Sequence, residues 1–148
     1  GLKWLFVKNK IIFICTGNSC RSQIAEGLFK EEAGDKFEVF SAGSHPSRLH
    51  PAAIKVMDEW GIDIQKQESE KIDKYLNKGI NIVITVCDNA ISICPNFPDG
   101  KIIIHWSIKD PFHGWNDNEK DLEPYRMARN EIKAKIKDLL QKDEIKNL

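Results

Sequence analysis

The chain has no net charge, no long apolar run and no internal repeat, and each absence excludes a class of protein. Lysine plus arginine equal aspartate plus glutamate, 22 each in 148 residues, so no charge field indicates a nucleic acid or a membrane surface as a partner. No segment approaches the roughly 18 apolar residues of a membrane span. No low-complexity tract or linker divides the sequence, so we expect a single domain over residues 1–148.

Cysteine is scarce as well, with 4 residues. A chain of this length does not need a disulfide framework in order to fold. The apolar amino terminus is interrupted by Lys8, Asn9 and Lys10, and no small-residue cleavage site follows, so we expect no signal peptide. We expect residues 1–9 to be an extension before the first strand, and the protein to be cytoplasmic with reduced thiols. Such thiols are candidates for catalysis, redox chemistry or metal binding.

Continuous apolar segments alternate with segments of helical spacing. The apolar segments predict buried strands at residues 10–16, 37–43, 80–87 and 101–106. Helices are predicted at 22–33, 51–60 and 71–76, with a carboxy-terminal helix whose apolar stripe is Leu122, Tyr125, Ala128, Ile132, Ile136, Leu139 and Leu140. This alternation predicts an α/β fold, a four-stranded parallel sheet flanked by helices on both faces. Sites in such sheets lie at the carboxyl ends of strands, where Cys15, Cys87 and Asp110 fall.

The turn after the first strand reads CTGNSCR, from Cys15 to Arg21, and leads into a helix. If this turn wraps, its backbone N–H groups point inward and join the positive end of the helix, which makes a cup for a tetrahedral oxyanion. Arg21 can close the cup with a bidentate guanidinium. Gly17 and Asn18 tolerate the left-handed backbone that a tight cup needs. The predicted oxyanion-binding residues are Thr16, Gly17, Asn18, Ser19, Cys20, Arg21 and Ser22.

The same donors favour a thiolate at Cys15, to which Ser22 is placed to donate a hydrogen bond. Cys20 sits inside the cup, and we expect it to be structural. The alternative interpretation is a strand end with a helix cap and an inert buried cysteine, because the pattern C-x5-R alone recurs by chance. The position between strand and helix, with Gly17 and Asn18 inside the turn, favours the cup.

A second cysteine pair, Cys87 and Cys94, follows the third strand. If Asp88 or Asn89 caps a short helix here, the two cysteines are about 10.5 Å apart along its axis. A disulfide needs Cα atoms closer than about 7 Å, so pairing would require that helix to unwind. Taken singly, each cysteine is more typical of a small buried apolar residue.

A zinc site is another chemistry that four cysteines allow. Cys15 and Cys20 have an acceptable spacing, but the 6 residues between Cys87 and Cys94 exceed the usual range of about two to four. Zinc would also coordinate the Cys15 thiolate, which would then be unavailable as a nucleophile. We therefore expect no metal, and the chemistry needs no organic cofactor.

The segment CTGNSCRSQIAEG, residues 15–27, resembles the phosphate-binding loop of the low-molecular-weight protein tyrosine phosphatase fold. It resembles more closely the thioredoxin-coupled arsenate reductases built on that fold. Ser19 and Gln23 stand where the phosphatases usually have a hydrophobic residue and a proline. The similarity continues through SAG at 41–43, VITVCDNA at 83–90, HW at 105–106 and the dipeptide Asp110-Pro111. It covers the chain from about Lys10 to the last helix.

The resemblance implies a thiol-disulfide relay that reduces arsenate to arsenite. Cys15 would attack arsenic while Asp110 protonates the departing oxygen. Cys87 would then attack Cys15, and Cys94 would attack Cys87. Thioredoxin is the implied electron donor, with a glutaredoxin as the alternative. Without the preceding loop, Asp110-Pro111 is typical of the start of a turn.

Two other functions stay open. One is a phosphotyrosine phosphatase that forms a phosphocysteine at Cys15 and uses Arg21 and Asp110 as phosphate ligand and acid. The aromatic Phe112 is typical of that branch, because the reductases often have a small residue there. The other is a thiol-based arsenite or metal sensor without turnover. We further expect a monomer, loop or capping roles for His45, His50 and His113, and Trp115 either at the pocket mouth or in a packed loop.

Overall fold

The computed structural model describes residues 7–88 and 96–148. Within them the chain forms strands β1 (Asn9–Cys15), β2 (Phe37–Gly43), β3 (Ile82–Thr85) and β4 (Ile102–His105), and helices α1 (Arg21–Ala33), α2 (Pro51–Asp58), α3 (Glu123–Gln141) and α4 (Asp143–Lys146). Short 3₁₀ helices occupy Ile72–Tyr75 and Glu119–Asp121. The short helix predicted at 71–76 is therefore confirmed, as a 3₁₀ helix. Cys94, with the helix predicted before it, lies outside the described residues.

The four strands are parallel and lie in the order β2-β1-β3-β4, which confirms the predicted sheet. Ile14 of the central strand β1 aligns with Ala42 on β2 and with Thr85 on β3. β1 is apolar throughout its centre because it has strands on both sides and packed layers on both faces. β3 is shorter than predicted, since it ends at Thr85. Val86 and Cys87 beyond it are buried, and the Val86 N–H still donates to the Ile14 carbonyl at 2.8 Å.

The two faces of the sheet are covered unevenly. Alternate β1 side chains such as Phe13 join one apolar cluster with α1, α2 and α3. The others, such as Ile14, face the 3₁₀ helix Ile72–Tyr75 and Phe97. Helical segments thus cover both faces, as predicted, with the three longer helices on one face. On the edge strand β4, Ile103 stays 58% exposed, so this strand is not covered on both faces as its apolar sequence predicted.

The helix after β2 ends earlier than its pattern predicted. α2 stops at Asp58, whereas the pattern extended to Trp60. Gly61 adopts a left-handed φ of 72°, and the Ile62 N–H donates to the Met57 carbonyl at 3.1 Å. Such a helix end favours glycine, because other residues are strained at positive φ. Gly61 therefore terminates this helical segment.

The carboxy-terminal helix α3 buries the predicted stripe, including Tyr125, Ile132 and Ile136. These positions share one face at helical spacing, and that face packs against α1 and α2. Leu140 is half-buried at the edge of the same cluster. Among the described residues, no helix combines the length and the apolar character that a bilayer crossing requires.

Candidate active site

The sheet order places the candidate site at the carboxyl ends of β1 and β3. From β1 the chain crosses to β2 on one side, and β3 later pairs with β1 on the other side. The crevice at such a switch point is where α/β sheets bind ligands. Because Ile14 aligns with Thr85, Cys15 and Cys87 lie at the carboxyl ends of neighbouring strands, on the same edge of the sheet.

The loop between β1 and α1, residues 15–21, is held from outside through its carbonyl groups. The donors belong to the segment after β2 and to the Gln23 side chain. The pairs are His45 N to Thr16 O at 2.9 Å, Ser47 N to Gly17 O at 3.0 Å, Gln23 Nε2 to Asn18 O at 2.9 Å and His50 N to Ser19 O at 3.1 Å. In a trans peptide unit the following N–H points opposite to the carbonyl. The N–H groups of residues 17–20 therefore face the concave side of the loop, which we call the oxyanion cup.

Helix α1 adds to this set of donors, because its N-terminal end opens into the cup. Ser22 lies in the first turn, whose N–H groups have no carbonyl partner within a helix and carry partial positive charge. Asn18 takes a left-handed φ of 47°, whereas Gly17, also expected to tolerate that conformation, does not adopt it. Gly43 is required for another reason, since a Cβ there would lie 2.5 Å from the Thr16 carbonyl oxygen.

The thiol of Cys15 lies at one end of a chain of hydrogen-bonded side chains. Its Sγ lies 2.9 Å from the hydroxyl oxygen of Ser22. Asn18 Nδ2 donates to that oxygen at 2.7 Å and to the Ser41 hydroxyl at 3.0 Å. The Ser22 oxygen accepts a hydrogen from Asn18, which leaves its own hydrogen available for the sulfur. A hydroxyl at this distance can stabilise negative charge that develops on the sulfur during a reaction.

Asn18 is oriented by bonds at both ends of its amide group. Its Oδ1 accepts from the Glu70 N–H at 2.8 Å, which directs Nδ2 toward the two hydroxyls. Ser41 in turn donates to the buried carboxylate of Glu26 at 2.5 Å. Lys30 donates to the other oxygen of that carboxylate at 2.6 Å. Glu26 was not predicted from the sequence, although a carboxylate among the buried residues of α1 was a detectable signal.

Arg21 is 6% exposed, and its guanidinium lies between two carboxylates. Nη1 donates to the Ile108 carbonyl at 2.9 Å and lies 3.5 Å from Asp88 Oδ1. Nη2 lies 3.7 Å from Asp110 Oδ2. The Asp88 and Asp110 side chains are 57% and 51% exposed, so water screens both ion pairs and an oxyanion can compete for the guanidinium. Asp88 was also missed, although it directly follows Cys87 at the end of β3.

A cavity of about 230 Å³ opens over the oxyanion cup. Its lining residues are Cys15, Thr16, Gly17, Ser19, Cys20, Arg21, Ser47, Asp110, Phe112 and Trp115. The cavity therefore brings the predicted nucleophile, the guanidinium and the predicted acid together. Phe112 and Trp115, with ring centroids 5.1 Å apart, form an aromatic wall on one side.

Two of the lining residues have surroundings that restrict their chemistry. Burial raises the pKa of the Cys20 thiol to about 12, so this thiol stays protonated at neutral pH. Asp110 starts a turn, because its Oδ1 accepts from the Phe112 N–H at 3.0 Å. Its second oxygen faces Arg21, so the turn leaves one carboxylate oxygen at the cavity.

Cys87 is 1% exposed and directly precedes Asp88, the partner of Arg21. That ion pair connects the end of β3 with the oxyanion cup. Cys94 lies outside the described residues, so its distance from Cys87 stays a prediction.

The histidines expected in loops or caps lie there. His50 caps α2, since its Nδ1 accepts from the Ala52 N–H at 2.9 Å. His45 is exposed, with Nδ1 3.0 Å from the Ser44 hydroxyl. His113 lies in the loop after β4.

The β2-β1-β3-β4 order and the C-x5-R oxyanion cup together define a phosphatase-type α/β domain. A profile of the family described as low molecular weight phosphotyrosine protein phosphatase matches residues 10–147. The chain belongs to this family.

Among known relatives, an arsenate reductase of Halalkalibacterium halodurans is 42% identical over 130 residues, 88% of this chain and 94% of the relative. Among solved structures, an arsenate reductase in the phosphate binding state is similar, with a TM-score of 0.73 and 34% identity over 89% of this chain and 96% of that chain. A thioredoxin-dependent arsenate reductase of Corynebacterium glutamicum has a TM-score of 0.71 and 27% identity over 90% of this chain and 61% of its own.

Proposed function

We propose that this chain is an arsenate reductase that uses Cys15, Cys87 and Cys94 as a thiol-disulfide relay regenerated by thioredoxin. The observation that carries the proposal is the Cys15 sulfur 2.9 Å from the Ser22 hydroxyl, inside the oxyanion cup and beside the end of β3. The names of the similar proteins support the substrate, and the thioredoxin dependence of one of them supports the electron donor.

The first step joins arsenic to Cys15. The inward N–H groups and the Arg21 fork bind the arsenate oxygens, and the Cys15 thiolate attacks arsenic. A sulfur–arsenic bond forms and an arsenic–oxygen bond breaks. Hydroxide is a poor leaving group, so Asp110 supplies a proton and the oxygen departs as water.

The second step reduces arsenic. The Cys87 thiolate attacks the Cys15 sulfur, a disulfide forms and the sulfur–arsenic bond breaks. Arsenic keeps the electron pair and leaves as arsenite, so two thiols are oxidised and arsenic gains two electrons. Cys94 then attacks Cys87, which returns Cys15 as a thiolate and leaves a Cys87–Cys94 disulfide.

The remaining disulfide needs two electrons from a dithiol partner, and the proposed partner is thioredoxin. Relays of this kind operate where thiols are kept reduced, and we therefore place the protein in the cytoplasm. A glutaredoxin in place of thioredoxin would leave the chemistry at the cup unchanged.

A tyrosine phosphatase is the second candidate, and the aromatic wall of Phe112 and Trp115 favours it. An aryl group could pack against these rings while the same cup holds the phosphate. Cys15 would then form a phosphocysteine that water hydrolyses. In that case Cys87 and Cys94 would take no part.

One assay separates the candidates. Arsenate is supplied with thioredoxin, thioredoxin reductase and NADPH, and wild type is compared with Cys87→Ser and Cys94→Ser. We expect NADPH oxidation that both substitutions abolish. A parallel assay with glutaredoxin, glutathione and glutathione reductase in place of the thioredoxin system identifies the donor. Aryl phosphate hydrolysis that survives both substitutions, without arsenate turnover, would favour the phosphatase and contradict the proposal.

A further inference from the structure

His50 contacts both loops of the site through different atoms. Its backbone N–H donates to the Ser19 carbonyl of the oxyanion cup at 3.1 Å. Its Nε2 lies 2.7 Å from the Gly114 carbonyl oxygen. Gly114 belongs to the segment 108–115 that carries Asp110, which we call the acid loop. A single residue thus bridges the nucleophile and the acid.

The hydrogen bonds of His50 determine where its ring carries a hydrogen. Nδ1 accepts from the Ala52 N–H at 2.9 Å, so it carries none. The single hydrogen of the neutral ring is therefore on Nε2, which donates it to Gly114. Burial lowers the pKa of His50 below its ordinary value, so the ring remains neutral at neutral pH and keeps this donor.

Aromatic packing fixes the orientation of the same imidazole. The ring stacks on Trp115, with centroids 5.0 Å apart and planes at 17°. Phe112 meets it edge-on at 5.7 Å, and the Tyr125 ring on α3 lies 4.9 Å away. The Tyr125 hydroxyl oxygen is also 3.1 Å from Nε2, so α3 holds the ring as well. The side chain is fully buried, so it cannot rotate without moving these rings.

The acid loop is held at both ends. At its start, the Ile108 carbonyl accepts from Arg21 at 2.9 Å. Near its end, the Gly114 carbonyl accepts from His50. Asp110 itself is half exposed, and its ion pair with Arg21 is long, at 3.7 Å. The position of Asp110 over the cup therefore depends on the two tethers more than on its own side-chain contacts.

We propose that His50 is a positioning residue that fixes the acid loop, and with it Asp110, over the oxyanion cup. This inference rests on the proposed function, in which Asp110 supplies the proton for the departing oxygen. Misplacement of a catalytic group by about 1 Å can cost about 100-fold in rate. The inward N–H groups that bind the oxyanion do not depend on the Gly114 contact.

The test uses His50→Asn, because asparagine is a good N-cap residue and preserves the start of α2 while removing the ring. His105→Asn is the matched control, since His105 is exposed at the end of β4 and does not line the cavity. For His50→Asn we expect the single-turnover rate of arsenite formation to fall about 10- to 100-fold at saturating arsenate. The half-saturating arsenate concentration and inhibition by phosphate should change little, and His105→Asn should match wild type.

Two further readouts separate positioning from a merely structural role. In the double variant His50→Asn/Asp110→Asn, the single-turnover rate should fall no further than in Asp110→Asn alone, because the acid is already absent. In His50→Asn, amide hydrogen exchange should accelerate at residues 110–118 and stay unchanged at 16–22.

The inference would be overturned by an unchanged single-turnover rate in His50→Asn. It would also be overturned if the rate losses of the two single variants multiply in the double variant, or if phosphate binding weakens in parallel with the rate. Exchange that stays unchanged at 110–118, or that rises across α2 and the cup together, would overturn it as well. If wild type reduces no arsenate, the proposed function fails, and the exchange experiment still decides whether His50 holds the acid loop.

Discussion

The Asp88 carboxylate lies 3.5 Å from the Arg21 guanidinium, and Asp88 directly follows Cys87. A bound oxyanion must share Arg21 with this carboxylate. We therefore expect the end of β3 to respond to anion binding in the cup, which would relate substrate binding to the second cysteine of the proposed relay.

Asp88→Asn should strengthen oxyanion binding. The substitution removes a competing negative charge, and a screened ion pair of this kind contributes about 0.2–1 kcal/mol, or up to about fivefold in affinity. Calorimetric titration with phosphate at fixed ionic strength measures the change. Asp99→Asn, at an exposed turn, is the control and should leave the affinity unaltered. Weaker binding by Asp88→Asn would refute the competition.

Ser22→Ala should slow the attack of Cys15 on arsenate. The lost hydrogen bond to a charged sulfur is worth about 1.5–3 kcal/mol, which corresponds to about 10- to 100-fold in rate. Single-turnover arsenite formation reports the loss, and Ser44→Ala serves as the control because the Ser44 hydroxyl lies 3.0 Å from His45 Nδ1 and does not line the cavity. An unchanged rate would mean that the Ser22 hydroxyl does not act on the sulfur.

Arg21→Lys should weaken phosphate binding by about 10- to 100-fold, since lysine keeps the charge but loses the planar fork. The variant also loses the bond to the Ile108 carbonyl, which holds the start of the acid loop. Titration with phosphate measures the affinity. Arg126→Lys is the control, because Arg126 pairs with Glu59 and Glu119 outside the cavity. Equal losses in both variants would point to general destabilisation.

The buried His50 should make the folded state less stable in mild acid. Burial lowers the pKa of His50 in the folded state, whereas the unfolded chain has the ordinary value of about 6.5. The unfolded state therefore binds more protons, and the free energy of unfolding falls as pH decreases below about 6.5. Denaturant unfolding between about pH 5 and 7.5 measures the free energy of unfolding at each pH. Its slope against pH should be shallower for His50→Asn than for wild type. His45→Asn should retain the wild-type slope, and three identical slopes would exclude His50 as the cause.

The sequence allowed prediction of β1, α1 and the cup because these features are local. An unbroken apolar strand, a turn containing Gly17 and Asn18, and a helix start occupy consecutive residues. The inward direction of the loop N–H groups followed from the same turn. The ends of α2 and β3 were less predictable, because apolar residues such as Trp60 and Val86 continue the pattern beyond the last residue of the helix or strand.

The supporting residues of the site could not be predicted because they depend on which elements become neighbours. Asp88 reaches Arg21 only because β3 pairs directly with β1. Glu26 reaches Ser41 only because α1 packs beside β2. His50 was predicted as a loop or capping residue. Its bond to Gly114 was not predictable, because β3 and β4 separate the two residues in the sequence.

The most direct test of the relay traps its first disulfide. Reduced Cys94→Ser protein is mixed with arsenate in the absence of thioredoxin, arsenite is quantified, and the cysteines are mapped by mass spectrometry after digestion. We expect arsenite in an amount equal to the protein, with Cys15 and Cys87 joined in a disulfide. Arsenite release with Cys87 still reduced, or no arsenite despite bound arsenate, would contradict the account.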